Sequence, residues 1–260
     1  MQGSTSYNLA FAAAICVVCA IVVSSSAVSL KDRQGTNAAL DMHRNVLVAA
    51  GLAAEDEELS AEETEERFAR IRRVVINLET GGEAPDIDPG TFDYRRAAAD
   101  PATSRRAPEN PSLVQRLANH AVVYRVENEA GALETLVLPV EGYGLWGTLH
   151  GFLALDADLT TIKGLTFYEH KETPGLGGEV DNPRWKALWK GRRAFDDQLN
   201  PEITVIKGSA GPPSQDPYRV DGLSGATMTS RGVTNLLHFW LGENGFGPYL
   251  ERLRQKGDIT

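Results

Sequence analysis

Residues 120–168, HAVVYRVENEAGALETLVLPVEGYGLWGTLHGFLALDADLTTIKGLTFY, decide the fold. Ala121–Val126 and Leu133–Val140 are short and rich in β-branched residues. Trp146–Leu155 alternates around Gly147 and Gly151, and Thr161–Tyr168 follows the turn-like Asp156–Ala157–Asp158. Short apolar runs punctuated by Gly, Asp and Asn predict a twisted, mostly antiparallel sheet. Downstream, Pro183–Gly191 reads as a short helix with proline near its first turn, Ile203–Lys207 as another strand, and Thr229–Leu241 and Phe246–Gln255 as closing helices. There is no long βαβ alternation and no G-x-G-x-x-G opening a helix, which argues against a dinucleotide fold; the expected class is α+β.

Upstream the chain is a different material. Residues 1–30 carry no charged side chain, and Leu9–Leu30 reads LAFAAAICVVCAIVVSSSAVSL. That is close to the roughly 20 apolar residues needed to cross a hydrocarbon core of about 30 Å, and in lipid such a stretch must be helical. The competing reading is a cleaved signal, for which Ser24–Ser25–Ser26–Ala27 supplies small residues. The length of the run and the lack of a preceding basic residue favour an uncleaved anchor. The first positive charges, Lys31 and Arg33, follow the span, and charge bias alone would leave the remainder on the cytoplasmic side. The only cysteines, Cys16 and Cys19, lie inside this stretch. The rest of the chain therefore has no disulfide framework, thiolate metal site or cysteine nucleophile.

The resulting organisation is a tail over 1–8, a transmembrane helix over 9–30, a helical and irregular part over 31–119 and a sheet-containing domain over 120–260. Residues 36–53 have helical spacing. Residues 55–79 are acidic early and basic late, as suits a helix dipole, and the Gly- and Pro-rich stretch 81–112 is an irregular connector. At 260 residues, 42% apolar and 23% charged, the chain is neither disordered nor a multi-span membrane protein. Its net charge of -9 argues against nucleic acid as a partner.

Two segments look chemical. Asp221–Gly222–Leu223–Ser224–Gly225–Ala226–Thr227–Met228–Thr229–Ser230 is a small-residue loop running into an apolar helix, with Thr229 or Ser230 able to cap it. A helix N-terminus presenting unpaired N–H groups suits a phosphate, but the Walker lysine is missing, and composition alone leaves an ordinary capped helix equally open. The second segment, His170–Lys171–Glu172–Thr173–Pro174–Gly175–Leu176–Gly177–Gly178, follows a strand directly. One proline and three glycines make a rigid turn able to lie against a flat ligand; by periodicity alone it is a plain β-turn. His170 is an acid/base candidate, with an exposed or satisfied surface group as the default. No G-x-S-x-G and no metal-ligand spacing among the five histidines occurs, so neither a catalytic residue nor a metal site is expected.

ETPGLGG and SGAT, in that order behind a single N-terminal span, resemble the FMN-binding domain of the C subunit of the bacterial sodium-translocating NADH:quinone reductases. The G subunit of the Rnf electron-transport complex is the sister family and the alternative reading, with an anchored scaffold or binding module lacking flavin as a further one. The likeness runs through GLWGTLHGFLALD, FYEHKETPGLGGEV and DGLSGATMTSRGV to LHFWLGENGFGPYL. This ending favours the quinone-reductase family.

The resemblance implies FMN esterified through its phosphate to Thr227 by a separate flavin transferase, with the nearby hydroxyl of Thr229 as the fallback acceptor. Ser224, Gly225 and Ala226 would shape the attachment loop, and Asp221 would orient it or assist flavinylation by holding the transferase's metal. Glu172, Thr173, Gly175, Leu176 and Gly177 would line the isoalloxazine ring, Lys207 would offset the phosphate charge and Trp146 is a candidate for ring contact, with core packing as its default role. It further implies a carrier of electrons from an iron–sulfur centre in the membrane subunits to a second FMN in the B subunit. The B, D and E subunits and their neighbours would be its partners, with membrane lipid around the span. NADH and quinone would bind elsewhere in that ubiquinone-reducing, sodium-exporting machine. The expected location is the bacterial inner membrane with the flavin domain periplasmic, although family members usually carry basic residues ahead of the span and this chain has none.

Overall fold

The computed structural model describes residues 5–256. The helices are α1 (Thr5–Ala50), α2 (Ala61–Phe68), α3 (Tyr94–Ala99), α4 (Pro183–Ala187), α5 (Thr227–Leu241) and α6 (Gly247–Lys256). The strands are β1 (Arg72–Asn77), β2 (Ser104–Arg106), β3 (Arg116–Ala118), β4 (His120–Glu127), β5 (Leu133–Tyr143), β6 (Thr148–Asp156), β7 (Ile162–Glu169), β8 (Thr204–Val205) and β9 (Arg219–Val220). The chain divides into two compact units, residues 1–42 and 43–260.

In the first unit, the stretch Thr5–Lys31 is 27 residues long and apolar enough to cross a membrane. At 1.5 Å per residue it reaches about 40 Å, more than a hydrocarbon core requires. Its large apolar side chains, from Leu9 to Leu30, are exposed in the isolated chain. Of the expected 1–8 tail, residues 1–4 lie outside the described residues and Thr5–Asn8 are already helical.

In the second unit, five strands form an antiparallel sheet in the order β1-β4-β5-β6-β7. Alternation divides its side chains between two faces. Leu136, Leu138 and Val140 of β5 and Leu149, Leu153 and Leu155 of β6 join Val233, Leu236, Leu237 and Trp240 of α5 and Leu250 of α6 in the main core. On the other face the Tyr124 ring lies between Phe68 of α2 (6.0 Å) and Phe152 of β6 (5.8 Å). The end of α1 covers part of that face, with Val46 and Leu47 fully buried. A Cβ at Gly164 would come within 2.7 Å of the Ala49 carbonyl oxygen.

The stretch 55–79 is not one helix. Ser60 caps α2 in a capping box with Glu63, which fixes where the helix begins within the acidic run. Arg72–Arg73 then lead into Val74–Val75–Ile76, whose β-branched side chains suit the edge strand beside β4 better than a helix. The region expected to be only helical and irregular thus contributes a strand to the sheet and, through β2 and β3, a small ribbon. The strand expected over Trp146–Leu155 begins at Thr148, because 144–147 close a hairpin in which Gly144 N–H donates to the Gly147 carbonyl at 2.8 Å. Ile203–Lys207 supplies only the two-residue β8, paired parallel with β9 just ahead of the loop over 221–226.

Candidate flavin site

The sheet and α5 meet at glycines. A Cβ at Gly232 would lie 2.5 Å from the Tyr143 carbonyl oxygen, and one at Gly142 2.5 Å from Leu236 Cβ. The start of α5 is therefore held tightly against the end of β5 and the hairpin that follows.

Helix α5 begins at Thr227, two residues before the expected capping residue Thr229. Its N-cap is Ala226, which offers no side-chain hydrogen bond. The two candidate caps are engaged elsewhere. Ser230 Oγ accepts from Leu223 N–H at 3.1 Å, and Thr229 Oγ1 donates to Glu172 Oε2 at 2.6 Å. The helical ladder starts with Ser230 N–H to the Ala226 carbonyl at 3.0 Å, so the N–H groups of Thr227, Met228 and Thr229 precede it. An uncapped helix end of this kind attracts an anion.

The loop before α5 is held by backbone contacts. Gly222 N–H donates to the Gly208 carbonyl at 2.9 Å, and a side chain at Gly222 would overlap the Ile206 carbonyl. Asp221 accepts from Ala210 N–H at 2.8 Å through its carboxylate and from Trp185 Nε1–H at 2.8 Å through its carbonyl. Lys207, exposed, stands in sequence between the Ile206 and Gly208 carbonyls that meet this loop. Ser224, Gly225 and Thr227 are exposed, Ala226 is buried, and Gly225 takes φ +70.

The second segment folds against the first. Leu176 N–H and Gly178 N–H both donate to the Thr173 carbonyl, at 3.1 and 2.9 Å. With Pro174 and then Gly175 at φ +76, this is the arrangement of a type II turn. Leu176 reaches Gly225, where a Cβ would stand 2.9 Å from Leu176 Cδ2. Gly177 lies against the Glu172–Thr229 pair; a Cβ there would be 2.5 Å from Glu172 Oε2 and 2.6 Å from Thr229 Oγ1.

Glu172 is 5% exposed. Its Oε1 accepts from Leu145 N–H and Trp146 N–H, both at 2.9 Å, so one carboxylate ties the hairpin to α5. His170 is a satisfied group and not a free acid/base: Nδ1 accepts from Glu172 N–H at 3.1 Å, which leaves Nε2–H to donate to Asp181 at 2.6 Å. At the adjoining end of β7, Arg95 hydrogen-bonds Glu169 at 2.6 Å and holds its carboxyl below the usual range.

Around this junction lies an exposed apolar rim of Leu145, Trp146, Leu176 and Met228. Leu145 and Met228 escape a reading of the sequence, since each sits beside a motif but carries no signal of its own. The missing side chains at Gly177 and Gly225, the apolar rim and the uncapped helix end fit a flat ring joined to a phosphate.

Comparison with known proteins agrees. The FMN-binding domain family matches residues 144–242. The C subunit of the Na(+)-translocating NADH-quinone reductase of Pseudomonas aeruginosa is 47% identical over 258 residues, 98% of each chain. Its counterpart from Yersinia pestis is 44% identical over 93% of this chain and 90% of its own. Among solved structures, Shewanella oneidensis NqrC superposes with a TM-score of 0.76 at 37% identity, covering 83% of this chain and 97% of that one. With a near-full-length match, the same fold and a junction shaped for a flavin, this chain belongs to the NqrC family, the C subunits of the sodium-translocating NADH-quinone reductases, and carries its FMN-binding domain.

Proposed function

We propose that the chain is the membrane-anchored electron carrier of a sodium-translocating NADH-quinone reductase, with FMN esterified through its phosphate to Thr227. The observation that carries the attachment point is the contrast between two hydroxyls: Thr227 is exposed at the first position of α5, whereas Thr229 is 0% exposed and committed to Glu172. A transferase can reach the first and not the second.

Bound FMN supplies the redox chemistry, and the protein supplies position and electrostatics. The N–H groups at the start of α5 stabilise the phosphodiester charge, with Lys207 beside the same loop. Asp221 holds the attachment loop through Ala210. Leu176, Trp146, Leu145 and Met228 offer apolar surface to the ring, and the backbone of the Thr173–Gly177 turn faces its polar edge. Attachment by a covalent bond removes the need for deep burial, leaving the ring open to exchange with partners. Those partners are an iron–sulfur centre in the membrane subunits as donor and the flavin of the B subunit as acceptor.

The test is in-gel fluorescence of the denatured full-length protein made with and without a flavin transferase. A fluorescent band only with the transferase is expected; a dark band in both rejects the flavin carrier.

The domain is placed on the periplasmic side, where the flavin-bearing domain of this family is expected. Ala130 sits exposed in a turn outside the site, and the native cysteines lie within the span. An Ala130→Cys variant should react with an impermeant thiol reagent in intact spheroplasts. Labelling only after lysis would reverse the orientation.

A further inference from the structure

A buried carboxylate is costly unless its oxygens are hydrogen-bonded, and a neutral hydrogen-bonding set leaves its charge uncompensated. Glu172 has that arrangement. Its three donors are two backbone N–H groups and the Thr229 hydroxyl. No cation is among its hydrogen-bond or ion-pair partners in the described residues. His170 next to it accepts from the Glu172 N–H through Nδ1 and meets Asp181, not Glu172, through Nε2. The carboxylate stands at the point where the hairpin, the Thr173–Gly177 turn and α5 meet, with Gly177 directly against its Oε2.

Glutamate is not needed merely to join these elements. Glutamine at the same place could accept from Leu145 and Trp146 N–H through its oxygen and donate to Thr229 Oγ1 through its amide. What distinguishes the residue present is its charge. In a partly dehydrated site a charge acts over several ångströms with little screening by salt.

Resting on the FMN attachment argued above, we infer that Glu172 is a positioning residue whose fixed charge lowers the reduction potential of the flavin held beside the Thr173–Gly177 turn. Adding electrons to the ring increases negative charge next to the carboxylate, and the oxidised ring is favoured accordingly.

The experiment is a spectroelectrochemical titration of the flavinylated full-length protein in detergent, comparing wild type, Glu172→Gln and Thr229→Val. Fluorescence of the denatured band is read first, so that absence of flavin is separated from an unshifted potential. Glu172→Gln should keep its flavin and move the midpoint positive by about 30 mV, a tenfold change in the relative affinity for the two redox states of a two-electron couple. Thr229→Val removes one donor without changing charge and should leave the midpoint near that of wild type. An unchanged midpoint in Glu172→Gln overturns the inference, as does an equal shift in both variants, which would make geometry the cause. If Glu172→Gln does not fold, Thr173→Lys serves instead. It adds an exposed positive charge to the same turn and should shift the midpoint positive at low salt, with the shift shrinking at high salt. No shift at low salt overturns the inference.

Discussion

Thr227→Val is expected to give a chain that folds like wild type and carries no covalent flavin. Valine matches threonine in shape and β-branching, so the first turn of α5 keeps its backbone and its exposed position. Substitutions at exposed sites without special contacts usually change stability by within about 0.5 kcal/mol. The only chemical group lost is the oxygen that would bear the phosphoester. In-gel fluorescence should fall to background while thermal unfolding stays near wild type. Thr229→Val should do the reverse. It strips a buried carboxylate of a hydrogen bond, which costs about 1–3 kcal/mol, yet leaves the Thr227 hydroxyl accessible and the band bright. A band lost only in Thr229→Val would relocate the attachment point and require the buried start of α5 to open during maturation.

The two hydroxyls also mark how far the sequence can be read. ETPGLG and SGAT are contiguous, and their glycines announce a tight turn and a loop before a helix. Their union into one unit is not legible. Glu172 and Thr229 lie 57 positions apart and bond at 2.6 Å, and neither residue's neighbours announce the other. The start of α5 departs from expectation for a related reason. Hydroxyl side chains usually mark an N-cap, but here Thr229 and Ser230 turn back towards Glu172 and Leu223, and the cap falls on Ala226, which has no capping group. The edge strand β1 is hidden because a helical acid–base gradient runs directly into it. Tertiary pairing with β4 outweighs that local preference.

Trp240 and Trp146 make the same point through stability, and with opposite expected results. Trp146 sits in the hairpin with 64% of its surface exposed, whereas Trp240 is 2% exposed near the end of α5. The Trp240 ring lies 5.3 Å from Phe246, 5.6 Å from Phe239 and 6.0 Å from Tyr94, the last two edge-on. Its Nε1–H donates to the Glu141 carbonyl at 2.6 Å, on the strand that leads into the 144–147 hairpin. Trp240→Ala would empty this cluster and release that carbonyl. Deleting a buried tryptophan side chain costs about 3–5 kcal/mol. For a domain of this size each kcal/mol moves Tm by about 2–4 °C, so a fall of at least about 6 °C is expected for full-length protein in detergent. Trp146→Ala should leave Tm near wild type, because its ring is largely in solvent. The expected order rests on one physical link: α5 keeps its register against β5 through Trp240, and that register aligns the Thr227 end of the helix with Glu172. A Trp240→Ala protein as stable as wild type would show that the glycine contacts at Gly142 and Gly232 hold α5 in place without it.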